Sequence, residues 1–136
     1  MRIRAALRDL VWRRAASRFE YCQMPEEFDP LPFQFDPVIA RQHHGTTTEE
    51  NLSLSCFECN IHKGPKIAGI DPESREVVAL FHPRRDRWRK HFEWSGVDLV
   101  GRTSTGRATV EVLAVNLTHR RAFRTALAAE GVFPPK

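Results

Sequence analysis

The sequence predicts an α+β fold in a single domain over residues 1–136. Apolar residues recur at helical spacing near both ends of the chain, which marks flanking helices. Between them lie short alternating segments bounded by turn residues, long enough for strands and too short for helices. At the centre, Phe35 to Gly64 (FDPVIARQHHGTTTEENLSLSCFECNIHKG) reads as strand, loop, strand, cysteine knuckle and helix start, a ββα unit.

The elements follow in order. Residues 2–18 place Ile3, Leu7, Leu10, Val11 and Ala15 on one helical face and Arg2, Arg4, Arg8, Arg13 and Arg14 on the other. Such a basic face serves equally as a solvated surface or as a phosphate contact. Pro25, Pro30 and Pro32 exclude helix and favour an extended connection. Phe33-Gln34-Phe35 alternates as a short strand, Gly45 to Glu49 is a polar loop, and Leu52-Ser53-Leu54-Ser55 alternates again. Beyond Gly64, Gly69 to Ser74 is turn-rich around Asp71-Pro72, and Glu76 to Phe81 reads as a strand. His82 to Phe92 is dense in base and aromatic: the arginines suit phosphate contact, and Trp88, Phe92 and Trp94 suit either base stacking or core anchoring. Asp98 to Arg102 is a further strand, and a helical pattern runs from Gly106 through Ala114. Asn116 then stands as the cap of a last helix with Ala122, Phe123, Ala126 and Leu127 on one face, ended by Gly131 with Pro134-Pro135 beyond.

Composition narrows the function. The net charge of +4 and pI near 9.3 favour a polyanionic partner, though an ordinary basic protein has the same balance. The longest aliphatic stretch, Val77 to Phe81, is far too short to span a bilayer, and no apolar run of signal length follows the basic N-terminus. The expectation is a cytoplasmic protein with no membrane partner and no small-molecule cofactor. Three cysteines, two of them in Cys56-x-x-Cys59, suit metal binding better than a disulfide framework. No base partner for a cysteine nucleophile is legible.

The central stretch resembles the HNH endonuclease family, whose core reads D-H-I…N-L…C-x-x-C-N-x-x-K-G. Asp36, Val38-Ile39, Asn51-Leu52, Cys56, Cys59, Asn60, Lys63 and Gly64 stand at matching positions. The segments AGIDPE, LFHPR and GRTSTGRATVEVL resemble one bacterial branch of that family, so the resemblance runs from residue 18 nearly to the end. It implies a ββα-metal (His-Me finger) core over about residues 18–66, with zinc-knuckle-like loops and flanking helices, and an extension over residues 67–136.

The resemblance also implies metal-dependent hydrolysis of DNA phosphodiester bonds. A divalent ion, magnesium or manganese, would lie between Asp36 and Asn60, both hard oxygen donors. On spacing alone these two are a strand-end acid and a helix cap. Asn51 would hold the loop by side-chain hydrogen bonds, and His62 stands near the last family histidine, either at the phosphate or metal or in solvent. Phosphate contacts fall to Arg41, Lys63, Lys66, Arg84, Arg85 and Arg87.

Two positions depart from the family. Pro37 stands where the family has its general-base histidine, and a proline has no titratable group. Losing a general base slows cleavage by about 10²- to 10⁴-fold; His43 and His44 are the candidate substitutes. Phe19 stands where many members have a fourth zinc cysteine, leaving Cys22, Cys56 and Cys59. Either a histidine or water completes a weakened zinc site, or Phe19 packs the space and the thiols stay metal-free; the first is the expectation. The chain therefore reads as an HNH endonuclease with impaired cleavage, with a non-catalytic DNA-binding protein of the same fold as the alternative.

Overall fold

A computed structural model describes residues 2–135. Helix α1 (Ala5–Ala15) opens the structure. It is shorter than its apolar pattern because Ala16 and Ser17 both turn into the left-handed region, with φ of 55° and 59°. Val11 is fully buried from this helix, and Leu7, Trp12 and Ala15 pack against the same core. The proline-rich connection then carries one short 3₁₀ turn, Glu26–Phe28.

Strands β1 (Gln34–Pro37) and β2 (Leu52–Ser55) pair antiparallel, with Asp36 opposite Ser53 and Pro37 opposite Leu52. Pro37 can end β1 because a terminal strand position needs no further N–H in the ladder. Alternation in β2 suggests one solvated face, yet all four residues are buried. Helix α1 packs across β2, and the Arg14 guanidinium donates to the Leu52 carbonyl. Helix α2 (Phe57–Lys63) follows at once, packed on β1 and closed by Gly64 at φ 51°. Together these form the ββα unit.

The extension adds two further antiparallel hairpins, β3 (Ala68–Ile70) with β4 (Val77–Ala79) and β5 (Phe92–Ser95) with β6 (Asp98–Gly101). One helical turn, α3 (Trp88–His91), leads into β5. The basic-aromatic segment thus supplies a strand as well as a turn, and its rings are core anchors. Phe92 is buried, Trp88 lies 5.3 Å from it, and Trp94 meets Phe133 edge-on at 4.7 Å. The Trp88 indole donates to the Tyr21 carbonyl at 2.7 Å, which ties the extension to the first unit.

Helices α4 (Ser104–Val112) and α5 (Thr118–Ala129) complete the chain. Gly106 lets α4 press onto α3, since a Cβ there would stand 2.0 Å from the His91 carbonyl oxygen. Asn116 does not cap α5. Its amide instead bridges the Leu99 backbone, accepting from N–H at 3.0 Å and donating to C=O at 2.8 Å. The inner face of α5 is also not the apolar one: Arg120, Arg124 and Leu127 are buried while Phe123 stays exposed. The Arg124 guanidinium satisfies the carbonyls of Val97 (2.7 Å) and Val115 (2.9 Å), which would otherwise be stranded, and lies over the Trp94 ring with Cζ 5.6 Å from its centroid. No helix among the described residues is long and apolar enough to cross a membrane.

Asp71 is a fully buried acid in the extension. Arg107 grips it with two hydrogen bonds, 2.9 and 2.8 Å, and the N–H groups of Glu73 and Ser74 donate to the same carboxylate. Arg107 first, and those N–H groups after it, hold the carboxyl well below the usual range. The unfolded chain therefore takes up this proton first, so the stabilisation is complete above the unfolded pKa of about 3.9 and is lost as pH falls below it. Thermal melts from neutral to acid pH should show Asp71→Asn less stable than wild type near neutrality, with the gap closing in acid. A gap independent of pH would contradict this.

Candidate functional site

Asp36 sits near the end of β1 with its side chain turned onto α2. Lys63, the last residue of α2, places Nζ 3.2 Å from Asp36 Oδ2, with side-chain exposures of only 2% and 7%. The ammonium also donates to the carbonyls of Pro37 (3.4 Å) and Gly64 (3.5 Å). Asp36 Oδ2 nevertheless lacks a hydrogen bond of good geometry. Burial raises the Asp36 pKa and Lys63 opposes the rise. Tyr21 lies close by: burial and then the Asp36 charge push its phenol well up. Lys63 is thus a buried partner of Asp36 rather than a surface cation for phosphate.

The donors here match a magnesium-type ion in kind. Asp36 offers an incompletely satisfied buried oxygen. Asn60 lies one turn before Lys63 on the same side of α2. Such an ion, when bound, polarises a phosphoryl oxygen and makes water a better nucleophile. Lys63 already neutralises much of the carboxylate charge the ion would use.

Asn51 is buried and clamps the loop between the strands. Its Oδ1 accepts from Ile39 N–H at 2.9 Å, and its Nδ2 donates to the carbonyls of Ile39 (3.0 Å) and Thr46 (2.8 Å). A 3₁₀ turn, Arg41–His43, fills the loop, and His44 follows with φ 68°. Gly45 must be glycine, because a Cβ there would lie 1.6 Å from the Ile39 carbonyl oxygen. His43 and His44 are exposed, and among the described residues no hydrogen bond or ion pair joins either to Asp36. His62 is half-buried on α2.

The other cations divide by exposure. Arg41, Lys66, Arg85 and Arg87 are exposed. Arg84 instead pairs with buried Glu20, whose other oxygen accepts from Leu54 N–H at 3.2 Å. Burial, then the nearby Arg14 charge, lowers the Arg84 pKa to about 10. Arg84 thus anchors the basic segment to β2.

A second centre lies at the start of α2. Cys56 is the cap residue of the helix, accepting from Cys59 N–H at 3.3 Å, and Cys22 arrives from the loop after Phe19. All three sulfurs lie within 4.8 Å of one another and are buried. Cys22 and Cys56 Sγ stand 3.9 Å apart. Two thiolates on a tetrahedral zinc with Zn–S near 2.3 Å would stand about 3.8 Å apart, so three soft ligands fit the ion. Among the described residues no fourth His, Cys, Asp or Glu joins them. Phe19 is packed in the apolar core, and a cavity of about 250 Å³ opens beside Cys22 and Cys56.

Arg120 of α5 reaches the same sulfurs. Its Nη2 lies 3.1 Å from Cys59 Sγ and 3.7 Å from Cys56 Sγ. Hydrogen bonds from Cys22 and Cys56, with Arg120 beyond them, hold Cys59 well below the ordinary thiol range against burial. Its bonds to the other two thiols, and burial, push Cys56 up. Sequence reasoning passed over Arg120. The available signal was the spacing of Arg120, Arg124 and Leu127, a helical stripe parallel to the apolar one.

The strand pair with its buried acid, the asparagine-clamped loop and the cysteine knuckle that opens the helix make up one ββα unit. Residues 20–66 match the family model of the HNH endonuclease, about a third of the chain. No curated protein and no solved structure gave a significant match. An HNH domain points to a nuclease or DNA-binding function and to contact with nucleic acid, and the three buried cysteines could hold zinc.

Proposed function

We propose that this chain acts on DNA through its HNH domain and hydrolyses phosphodiester bonds only weakly. The observation that carries this reading is Pro37 beside Asp36 within a matched HNH domain. Magnesium or manganese would be held by Asp36 and Asn60, with Asn51 keeping the loop in place and no side chain at position 37 to accept the water proton. His43 and His44 are the substitute bases on this reading, and His62 lies toward the phosphate. Zinc at Cys22, Cys56 and Cys59 serves structure, with water from the adjoining cavity as the fourth ligand. The protein works in the cytoplasm.

A second reading, DNA binding without cleavage, is favoured by one observation: Lys63 already neutralises the acid that a catalytic ion needs. Both readings place the DNA backbone on exposed Arg41, Lys66, Arg85 and Arg87, and on the N-terminal arginines. Each phosphate neutralised releases counterions, so binding should weaken steeply with salt. Replacing Arg85 and Arg87 by alanine should lower the slope of log Kd against log salt by about 2, one per lost contact. Fluorescence anisotropy with a labelled duplex measures it, and an unchanged slope would remove these two arginines from the interface.

A further inference from the structure

The cysteine centre draws on a part of the chain far outside residues 20–66, since Arg120 belongs to α5. The Arg120 side chain is only 6% exposed. It is fixed from behind by the carbonyls of Leu113 (2.9 Å) and Ala114 (3.3 Å), while Nη2 faces the sulfurs of Cys59 and Cys56. Arginine stays protonated and has no lone pair to give a metal, so it cannot be a ligand. Its contribution is charge. A divalent ion with three thiolates carries one net negative charge, and a buried charge is tolerated only when paired and hydrogen-bonded. One guanidinium on two of the sulfurs offsets that charge, with its Nε 3.9 Å from Glu58 Oε2 at the rim of the site.

We infer that Arg120 is the charge-balancing and positioning residue of the Cys22–Cys56–Cys59 metal site, which makes metal binding and the docking of α5 one coupled event. This rests on the reading of the cysteines as a zinc site. Hydrogen-bonding partners of metal ligands commonly change metal affinity by about 10- to 100-fold when removed. Arg124 supplies the control. It lies on the same buried face of α5 and holds the helix through Val97, Val115 and Asn116, and among the described residues it makes no hydrogen bond to a cysteine.

The test measures zinc affinity of the full chain by competition with a chromophoric chelator, for wild type, Arg120→Gln, Arg120→Lys and Arg124→Met. The expected result is a loss of about 10- to 100-fold in Arg120→Gln, a smaller loss in Arg120→Lys, and near wild-type affinity in Arg124→Met. Removing zinc from the wild type should also speed amide exchange in α5. Equal affinity in Arg120→Gln and Arg120→Lys overturns the inference, because charge then plays no part. So does a loss in Arg124→Met as large as that in Arg120→Gln, which would reduce the effect to helix docking. A wild type that binds no zinc fails the zinc reading itself, before any variant is compared.

Discussion

Pro37→His is expected to raise magnesium-dependent plasmid nicking by about 10²- to 10⁴-fold over wild type, the usual contribution of a general base. Position 37 closes β1, half-exposed and adjacent to Asp36. The Pro37 carbonyl that accepts from Lys63 belongs to the backbone, so the exchange leaves that contact available. β1 is already extended there, a conformation histidine adopts freely. DNA affinity should change little, because Arg41, Lys66, Arg85 and Arg87 are all retained. A folded Pro37→His with no gain in nicking would mean that the fault also lies at Asp36 or Asn60.

Lys63→Met is expected to destabilise the fold by about 3–5 kcal/mol, the usual result of removing one partner from a buried pair. The methionine fills the volume of the stem, so the loss isolates the charge. Asp36, buried already, would then have its folded pKa raised further above the unfolded value. A raised carboxyl pKa means that the folded state binds the proton more tightly. The variant should therefore regain stability as pH falls toward that pKa, the opposite of the trend set by Asp71. Adding Asp36→Asn should recover much of the loss at neutral pH. Denaturant unfolding of the single and double variants checks this, and a loss in Lys63→Met below about 1 kcal/mol would show that the pair behaves as a solvated one.

The local physics of the central unit was legible from residue types. Alternation located β2 over Leu52–Ser55, and the knuckle located the start of α2. β1 runs one to two residues later than its aromatic alternation suggests, because pairing with β2 carries it through Pro37. The failures share a cause: Lys63 and Arg84 read as phosphate contacts, Asn116 as a cap, and Arg120 and Arg124 drew no reading, while tertiary contacts claim them all. Lys63 turned inward to Asp36, Arg84 to Glu20, Asn116 to the Leu99 backbone, and Arg120 and Arg124 to sulfurs and stranded carbonyls. Apart from Val115, nine residues before Arg124, the partners are distant in sequence, so no window of spacing contains those pairs. β5 was hidden for a related reason. Its arginine and tryptophan neighbours look like a binding stripe until packing of the rings against Phe133 and Tyr21 is known.

Nicking of supercoiled plasmid by the wild-type chain in magnesium, beside Asp36→Asn, tests most directly the claim that this HNH domain is impaired at the general base. Wild-type nicking is expected to stay close to the level of Asp36→Asn while both proteins still retard DNA at low salt. Robust wild-type nicking that Asp36→Asn abolishes would contradict it, since the domain would then have a working base without a histidine at position 37.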